Sequence, residues 1–257
     1  MISIWHWHTE PLLVGSIVSI LWVYLICVGP MRSRFGDYSF PKREFIFFLS
    51  AVISLYIAIG SPIDAMGENF LFSAHMIQHN ILMYITPVLF ILGLPGWLVD
   101  HFFNSSAFVR KSFKFLTYPL FSALLFTVTF SVWHIPFLYE AALRSKPIHI
   151  LEHLTFMLPA IFIWWNICSP SKVITKIGYG AQMLLMFGLM LGQTPVFAFL
   201  TFSSEVLYKT YEYAPRIMDI TPLQDQITGG IFMKIAGMIA ALSVFGVAFS
   251  KWAKANS

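Results

Sequence analysis

Residues Phe72–Pro87 read FSAHMIQHNILMYITP, an apolar run that opens with two histidines four positions apart. Side chains at i and i+4 share a helix face, so the imidazoles of His75 and His79 point the same way. Met83 continues that stripe one turn deeper. The same His, His, Met order returns as His149, His153 and Met157. Two apolar helices therefore offer matching ladders of soft-metal donors at the same end.

The rest of the composition sets these ladders in a membrane. Of 257 residues, 58% are hydrophobic and 11% charged, and the mean hydropathy is +0.74. A soluble domain carries roughly 25% charged residues, so this chain cannot clothe a water-facing surface. The net charge of +4 is spread over short loops rather than gathered on one patch. Nucleic acid is therefore not an expected partner, and the lipid bilayer is. Cys27 and Cys168 both fall in apolar segments with no CxxC spacing, which reads as packed thiols. The first apolar run has no basic leader and no small-residue cleavage site, and is expected to remain as a permanent span.

Apolar runs of roughly 20 residues mark transmembrane helices. Seven are expected, at about 12–30, 44–63, 71–94, 116–138, 149–168, 178–200 and 227–250, in one all-α bundle covering residues 1–257. Alternate loops and the C-terminal tail carry Arg32, Arg34, Lys42, Arg43, Arg110, Lys111, Lys114, Lys172, Lys176, Lys251 and Lys254. The opposite segments carry only Arg144, Lys146, Lys209 and Arg216, with most of the acids. By the positive-inside rule the N-terminus lies outside and the C-terminus in the cytoplasm.

On that topology His6, His8, His75, His79, His134, His149 and His153 crowd the outer face, and only His101 lies on the other. At about 1.5 Å per residue, His79 and His153 sit one turn below His75 and His149. A single histidine of this kind commonly makes a helix-bridging hydrogen bond. Two matching pairs in one layer point instead to a site, because ionisable groups inside a membrane are costly and face the bundle interior. Imidazole suits copper, zinc and iron, and thioether sulfur selects Cu(I). His75, His79, His134, His149 and His153 are thus expected metal ligands, with Met83 and Met157 as accessory sulfur donors. Glu152, beside His153, reads as an acceptor that orients an imidazole or as a plain interfacial acid. Lys234, inside the last span, either snorkels to the headgroups or pairs with Glu152. His6 and His8 on the N-terminal arm are candidate capture ligands; interfacial anchoring by neighbouring Trp5 and Trp7 is the competing account of that arm. Asp225 and Gln226 read as caps of the last helix.

Taken together, His75-Met76-Ile77-Gln78-His79, Trp133-His134-Ile135-Pro136 with Tyr139, His149 to His153 around Glu152, and Asp225-Gln226 with Gly229-Gly230 and Met233 resemble the CtaG family. That family comprises multi-span assembly factors of cytochrome c oxidase linked to caa3-type oxidases in Gram-positive bacteria. The resemblance runs from about the second span to the last. It implies a multi-pass protein of the bacterial plasma membrane, engaged in respiratory chain biogenesis, that supplies copper to the CuB centre of the oxidase catalytic subunit. The matching positions are His75, His79, His134, His149 and His153. An unrelated single-span copper chaperone shares the family name and uses paired cysteines. This chain has none, so that mechanism does not transfer.

The expected function is a non-enzymatic metallochaperone that holds copper, as Cu(I), near the outer face and passes it on by ligand exchange. Self-association into a homo-oligomer is left open. Two rivals stand beside it: a bis-histidine haem protein moving electrons, and a membrane enzyme with a zinc or di-iron centre. The second would want more carboxylates than Glu152 alone.

Overall fold

The computed structural model describes residues 5, 7–36 and 38–256, and every regular element among them is helical. In chain order the helices are α1 (Pro11–Val28), α2 (Lys42–Gly60), α3 (Pro62–Asn69) and α4 (Phe72–Leu92). There follow α5 (Gly96–Ser105), α6 (Ala107–Leu116), α7 (Pro119–Trp133) and α8 (Pro136–Arg144). Last come α9 (Lys146–Cys168), α10 (Tyr179–Thr201), α11 (Lys209–Glu212) and α12 (Pro222–Asn256). Among the described residues, six segments are long and apolar enough to cross a membrane: α1, α2 with α3, α4, α9, α10 and α12.

The expected fourth span, 116–138, is the exception. Its helix α7 has only 15 residues, and α6 joins it through a bend of 64°. Counting that bent pair gives seven spans. Pro119 sets the start of α7. At the other end Ile135 is extended (φ −66°, ψ 125°), as a residue before proline prefers, and α8 begins at Pro136. The second span also stops early, at Gly60. The Ser61 hydroxyl accepts from Ile63 N (3.2 Å) and starts α3 afresh with Pro62 in its first turn.

Helix α4 carries the quoted stretch and changes pitch within it, with residues Ile81–Ile85 forming a π turn. Pro87 has no N–H to give to the carbonyl four residues earlier, that of Met83. The indole of Trp164 on α9 supplies the missing donor (Nε1 to Met83 O, 2.8 Å). Beside it, Ser54 of α2 and Thr86 share a hydrogen bond of 2.9 Å.

The start of α4 is held from a distant part of the chain. Its N-cap residue, Leu71, has no side-chain acceptor. The Asp225 carboxylate on α12 accepts instead from Phe72 N (2.7 Å) and Ser73 N (3.1 Å). Asp225 thus caps the histidine-bearing helix rather than its own, whose start is closed by reciprocal hydrogen bonds between Thr221 and Gln224 (2.9 and 3.2 Å), and its carboxylate favours the dipole of α4. Gly229, one turn along α12, permits this approach: a Cβ there would lie 2.4 Å from the Phe72 ring.

Helix α9 packs against α7 and along residues 81–92 of α4. Above that contact the two helices are spaced by side chains, and it is there that the imidazoles meet. Apolar residues such as Leu12, Leu120, Leu184 and Phe232 are exposed on the outward faces, as a hydrocarbon solvent requires.

Candidate metal centre

The centre is built from two helix ends. His75 and His79 come from the first two turns of α4, Glu152 and His153 from the second turn of α9. One ligand atom from each of the four falls within 4.8 Å of all the others. His75 Nε2 and His79 Nε2 are 2.8 Å apart. The Glu152 carboxylate lies 3.8 Å from His75 Nε2 and 3.7 Å from His79 Nε2. The side chains of His75, His79 and Glu152 are at most 1% exposed. Ligands bound at about 2.0–2.1 Å to one ion are at most ~4.2 Å apart, so a small contraction closes the set on a cation.

Hydrogen bonding decides which nitrogens are bare. The Tyr211 hydroxyl has one proton, and the Gly67 carbonyl, which can only accept, takes it (2.6 Å). The Tyr211 oxygen, 3.3 Å from His75 Nδ1, must therefore accept from that nitrogen. His75 Nε2 is left with its lone pair facing His79 and Glu152. Tyr139 completes the set by donating to Tyr211 (3.0 Å). Gly67 is glycine for a steric reason, since a Cβ there would lie 2.9 Å from His75 Cα. His134 gives its Nδ1 proton to Phe130 O (2.6 Å), and His149 gives its own to Glu68 Oε1 (2.8 Å).

What remains are donor atoms with nothing to bind. His79 Nδ1, the Nε2 atoms of His134, His149 and His153, and both oxygens of Glu152 are buried without a hydrogen-bond partner. Buried polar groups are nearly always paired. The unpaired atoms of Glu152 and His153 belong to the converging set and those of His134 and His149 flank it, and residues of these types, all able to coordinate metals, fit a cation.

A roof of aromatic side chains covers the cluster. The Tyr208 ring stacks on Phe72 (5.1 Å between centroids) and lies 4.1 Å from that of Tyr139. Tyr208 also donates to His134 O (3.0 Å). The roof segment is pinned by Thr210, whose N and Oγ1 reach Glu140 at 2.9 and 2.8 Å. It is held again at Leu207 N, which donates to Gln226 (2.7 Å).

The expected ligands are thus distributed unequally. His75, His79 and His153 converge. His134 stands farther off, its ring 6.5 Å from that of His79. The ring of His149 lies 4.1 Å from that of His153, tilted by 56°, but its Nδ1 turns to Glu68, and with Asp64 and Glu68 it makes a second close set. Glu152, read from sequence as an accessory at most, sits in the middle of the first set. Met83 packs in the apolar core with Phe130 and Phe156, and Met157 is half-buried. The Phe156 ring lies against His79 at 4.5 Å.

Lys234 does not pair with Glu152. Its ammonium bonds Thr194 Oγ1 (3.2 Å) and sits over the Phe197 ring. His6 lies outside the described residues. His8 is no free arm: it is buried, with Nδ1 2.9 Å from Glu10 and Nε2 3.1 Å from Asp64. Hydrogen bonding to Asp64, helped by Glu10, raises the His8 pKa from 6.5 to about 9 against the cost of burial. Trp7 stacks on Tyr56 (6.0 Å).

Sequence reasoning gave no site role to Asp64, Glu68, Tyr211 or Asp225. The spacing of Asp64 and Glu68, four apart like the histidines, was the one local signal available. Tyr211 and Asp225 reach the site across more than 130 residues of chain and leave no such mark.

Fold and cluster together define a polytopic α-helical membrane protein with a buried imidazole–carboxylate centre. The chain belongs to the cytochrome c oxidase caa3 assembly factor family (Caa3_CtaG), whose pattern it matches over residues 22–255. Membership places it in the assembly of cytochrome c oxidase, with the oxidase as its partner. No curated protein and no solved structure matches the chain.

Proposed function

We propose that the chain carries copper as cargo, holds it between His75, His79, His153 and Glu152, and releases it to the CuB centre of the oxidase catalytic subunit. The observation behind this reading is the convergence of three imidazoles on the unpartnered carboxylate of Glu152 in one cluster. Three imidazoles and a carboxylate suit copper or zinc, and the family's link to a copper-containing oxidase favours copper. Met83 and Met157 lend no geometric support to a thioether-bound Cu(I), so the imidazoles and Glu152 are the expected ligands in either oxidation state. A haem fits poorly, because His75, His79, Glu152 and His153 each place a ligand atom within 4.8 Å of all the others, which leaves no width for a macrocycle between the two helices.

His134 and His149, each with a bare buried Nε2, flank the centre and are suited to receive the ion during exchange. Exchange between ligands of like kind needs no bond chemistry, so no catalytic role is assigned. In a bacterial plasma membrane the cluster would sit toward the extracytoplasmic side, on the charge distribution of the loops.

Anaerobic elemental analysis of the purified protein tests the site. Copper in a fixed ratio to protein is expected, with one ion fewer per chain in the His79→Ala/His153→Ala variant. An unchanged copper content in that variant would reject these ligands. Cells lacking the protein are expected to make oxidase with haem but without CuB, and fully loaded oxidase would reject the delivery role.

A further inference from the structure

We propose that Asp64, Glu68 and His149 form a second cation site, which takes a divalent transition-metal ion from outside the bundle and passes it inward through His149. The inference extends the copper reading above, but the outer site stands on its own residues.

Three observations carry it. First, one ligand atom from each of the three residues lies within 4.8 Å of the other two, with His149 Nδ1 2.8 Å from Glu68. Second, unpartnered buried donors adjoin this set as they do the inner one. Gln78 Nε2 donates to Asp64 and to Ala58 O (2.9 Å), while Gln78 Oε1 is buried beside them without a partner. His149 Nε2 is likewise buried and bare. Third, the exposure of the side chains falls steadily inward. Glu68 is 24% exposed, Asp64 7%, His149 5%, His79 1% and Glu152 0%.

The rings give the direction of transfer. His149 lies 4.1 Å from His153 and 5.4 Å from His75, centroid to centroid, so one imidazole belongs to the outer set and touches the inner one. The donor chemistry differs between the two. Two anionic carboxylates and an imidazole match the charge and hardness of Cu2+ or Zn2+, whereas the inner set is dominated by imidazole. His8 holds Asp64 from the outer side at 3.1 Å and so fixes that carboxylate in place. Coordination through His149 Nδ1 requires the proton now on that atom to leave it. The bare Nε2 takes the proton while the ion is held outside, and the proton returns to Nδ1 when the ion moves on to Nε2, so inward passage is a pair of tautomer changes with no net proton loss.

The test uses full-length protein in detergent micelles, titrated with Cu2+ alone and read by elemental analysis and electron paramagnetic resonance. The His79→Ala/His153→Ala variant is expected to retain one Cu2+ with coupling to a single nitrogen. Adding Glu68→Gln, which keeps the size of the side chain and its acceptor for His149, should weaken that binding at least about tenfold. The proposal is overturned if the double-histidine variant binds no Cu2+, or if Glu68→Gln leaves its binding unchanged. Should wild-type protein bind one ion that depends on Glu68 and not on His79, the outer site stands and the inner reading fails. A measurement without variants keeps the idea exposed: wild-type protein loaded with two Cu2+ should show dipolar broadening between adjacent ions, and its absence at that loading counts against the site.

Discussion

Replacing Asp225 by alanine should loosen the helix that carries His75 and His79, although Asp225 touches neither imidazole. Its carboxylate is fully buried and accepts from Phe72 N and Ser73 N at 2.7 and 3.1 Å. Leu71, the residue at the N-cap position, cannot take over. Each buried N–H left without a partner costs about 1–3 kcal/mol, and loss of an ordinary N-cap costs about 0.5–2 kcal/mol. Two orphaned donors at a helix start, one of them reachable by water once the side chain is gone, give about 3 kcal/mol. That is roughly a 150-fold change in the folding equilibrium. Asp225→Asn keeps one acceptor oxygen but loses the charge and one bond, and should cost about 2 kcal/mol.

The assay is equilibrium unfolding in mixed micelles, with Asp219→Ala, on the exposed stretch before α12, as control. Exposed substitutions stay within about 0.5 kcal/mol of wild type. If Asp225→Ala falls in that band, the carboxylate is not what holds the start of α4 and the reasoning fails. Because the fraying begins one turn above His75, metal affinity is expected to drop along with stability.

Glu152→Gln should separate function from stability. It removes a buried carboxylate that has no hydrogen-bond partner, so the metal-free protein should melt at the same temperature or higher. Copper affinity should fall at least about tenfold; an unchanged affinity would remove Glu152 from the ligand set. Trp164→Phe leaves the Met83 carbonyl without a donor opposite Pro87 and should cost about 1–3 kcal/mol in the same unfolding assay. A wild-type value would mean that the π turn satisfies that carbonyl some other way. The His8 contact predicts a pH dependence. A folded pKa raised from 6.5 to about 9 contributes stability in full below the unfolded value, and this is lost as pH rises through about 9. Melting temperatures of wild type and His8→Gln should therefore converge between about pH 6 and about pH 10; curves that stay parallel would refute the ion pair.

Much of this protein is written locally. Span positions follow from runs of apolar residues, because a bilayer leaves a chain few ways to satisfy its backbone. The pairing of His75 with His79 follows from helix periodicity alone. The broken fourth span was less legible, since Pro119 and Pro136 sit inside a run that remains apolar on both sides of the breaks. The second His pair shows the limit of the same reasoning. Periodicity puts His149 and His153 on one face, but only packing turns His149 Nδ1 toward Glu68.

The sequence by itself determined the solvent and the pairing of imidazoles one helical turn apart. Each of these depends on neighbours within a turn or on the hydrophobicity of about twenty consecutive residues. Tertiary structure decided which donors meet. It moved Glu152 into the centre, drew His149 toward Asp64 and Glu68, fixed the His75 tautomer through Tyr211, and capped α4 with Asp225. Those contacts join residues far apart in the chain through hydrogen bonds that exist only once the helices have packed, and no local pattern encodes them.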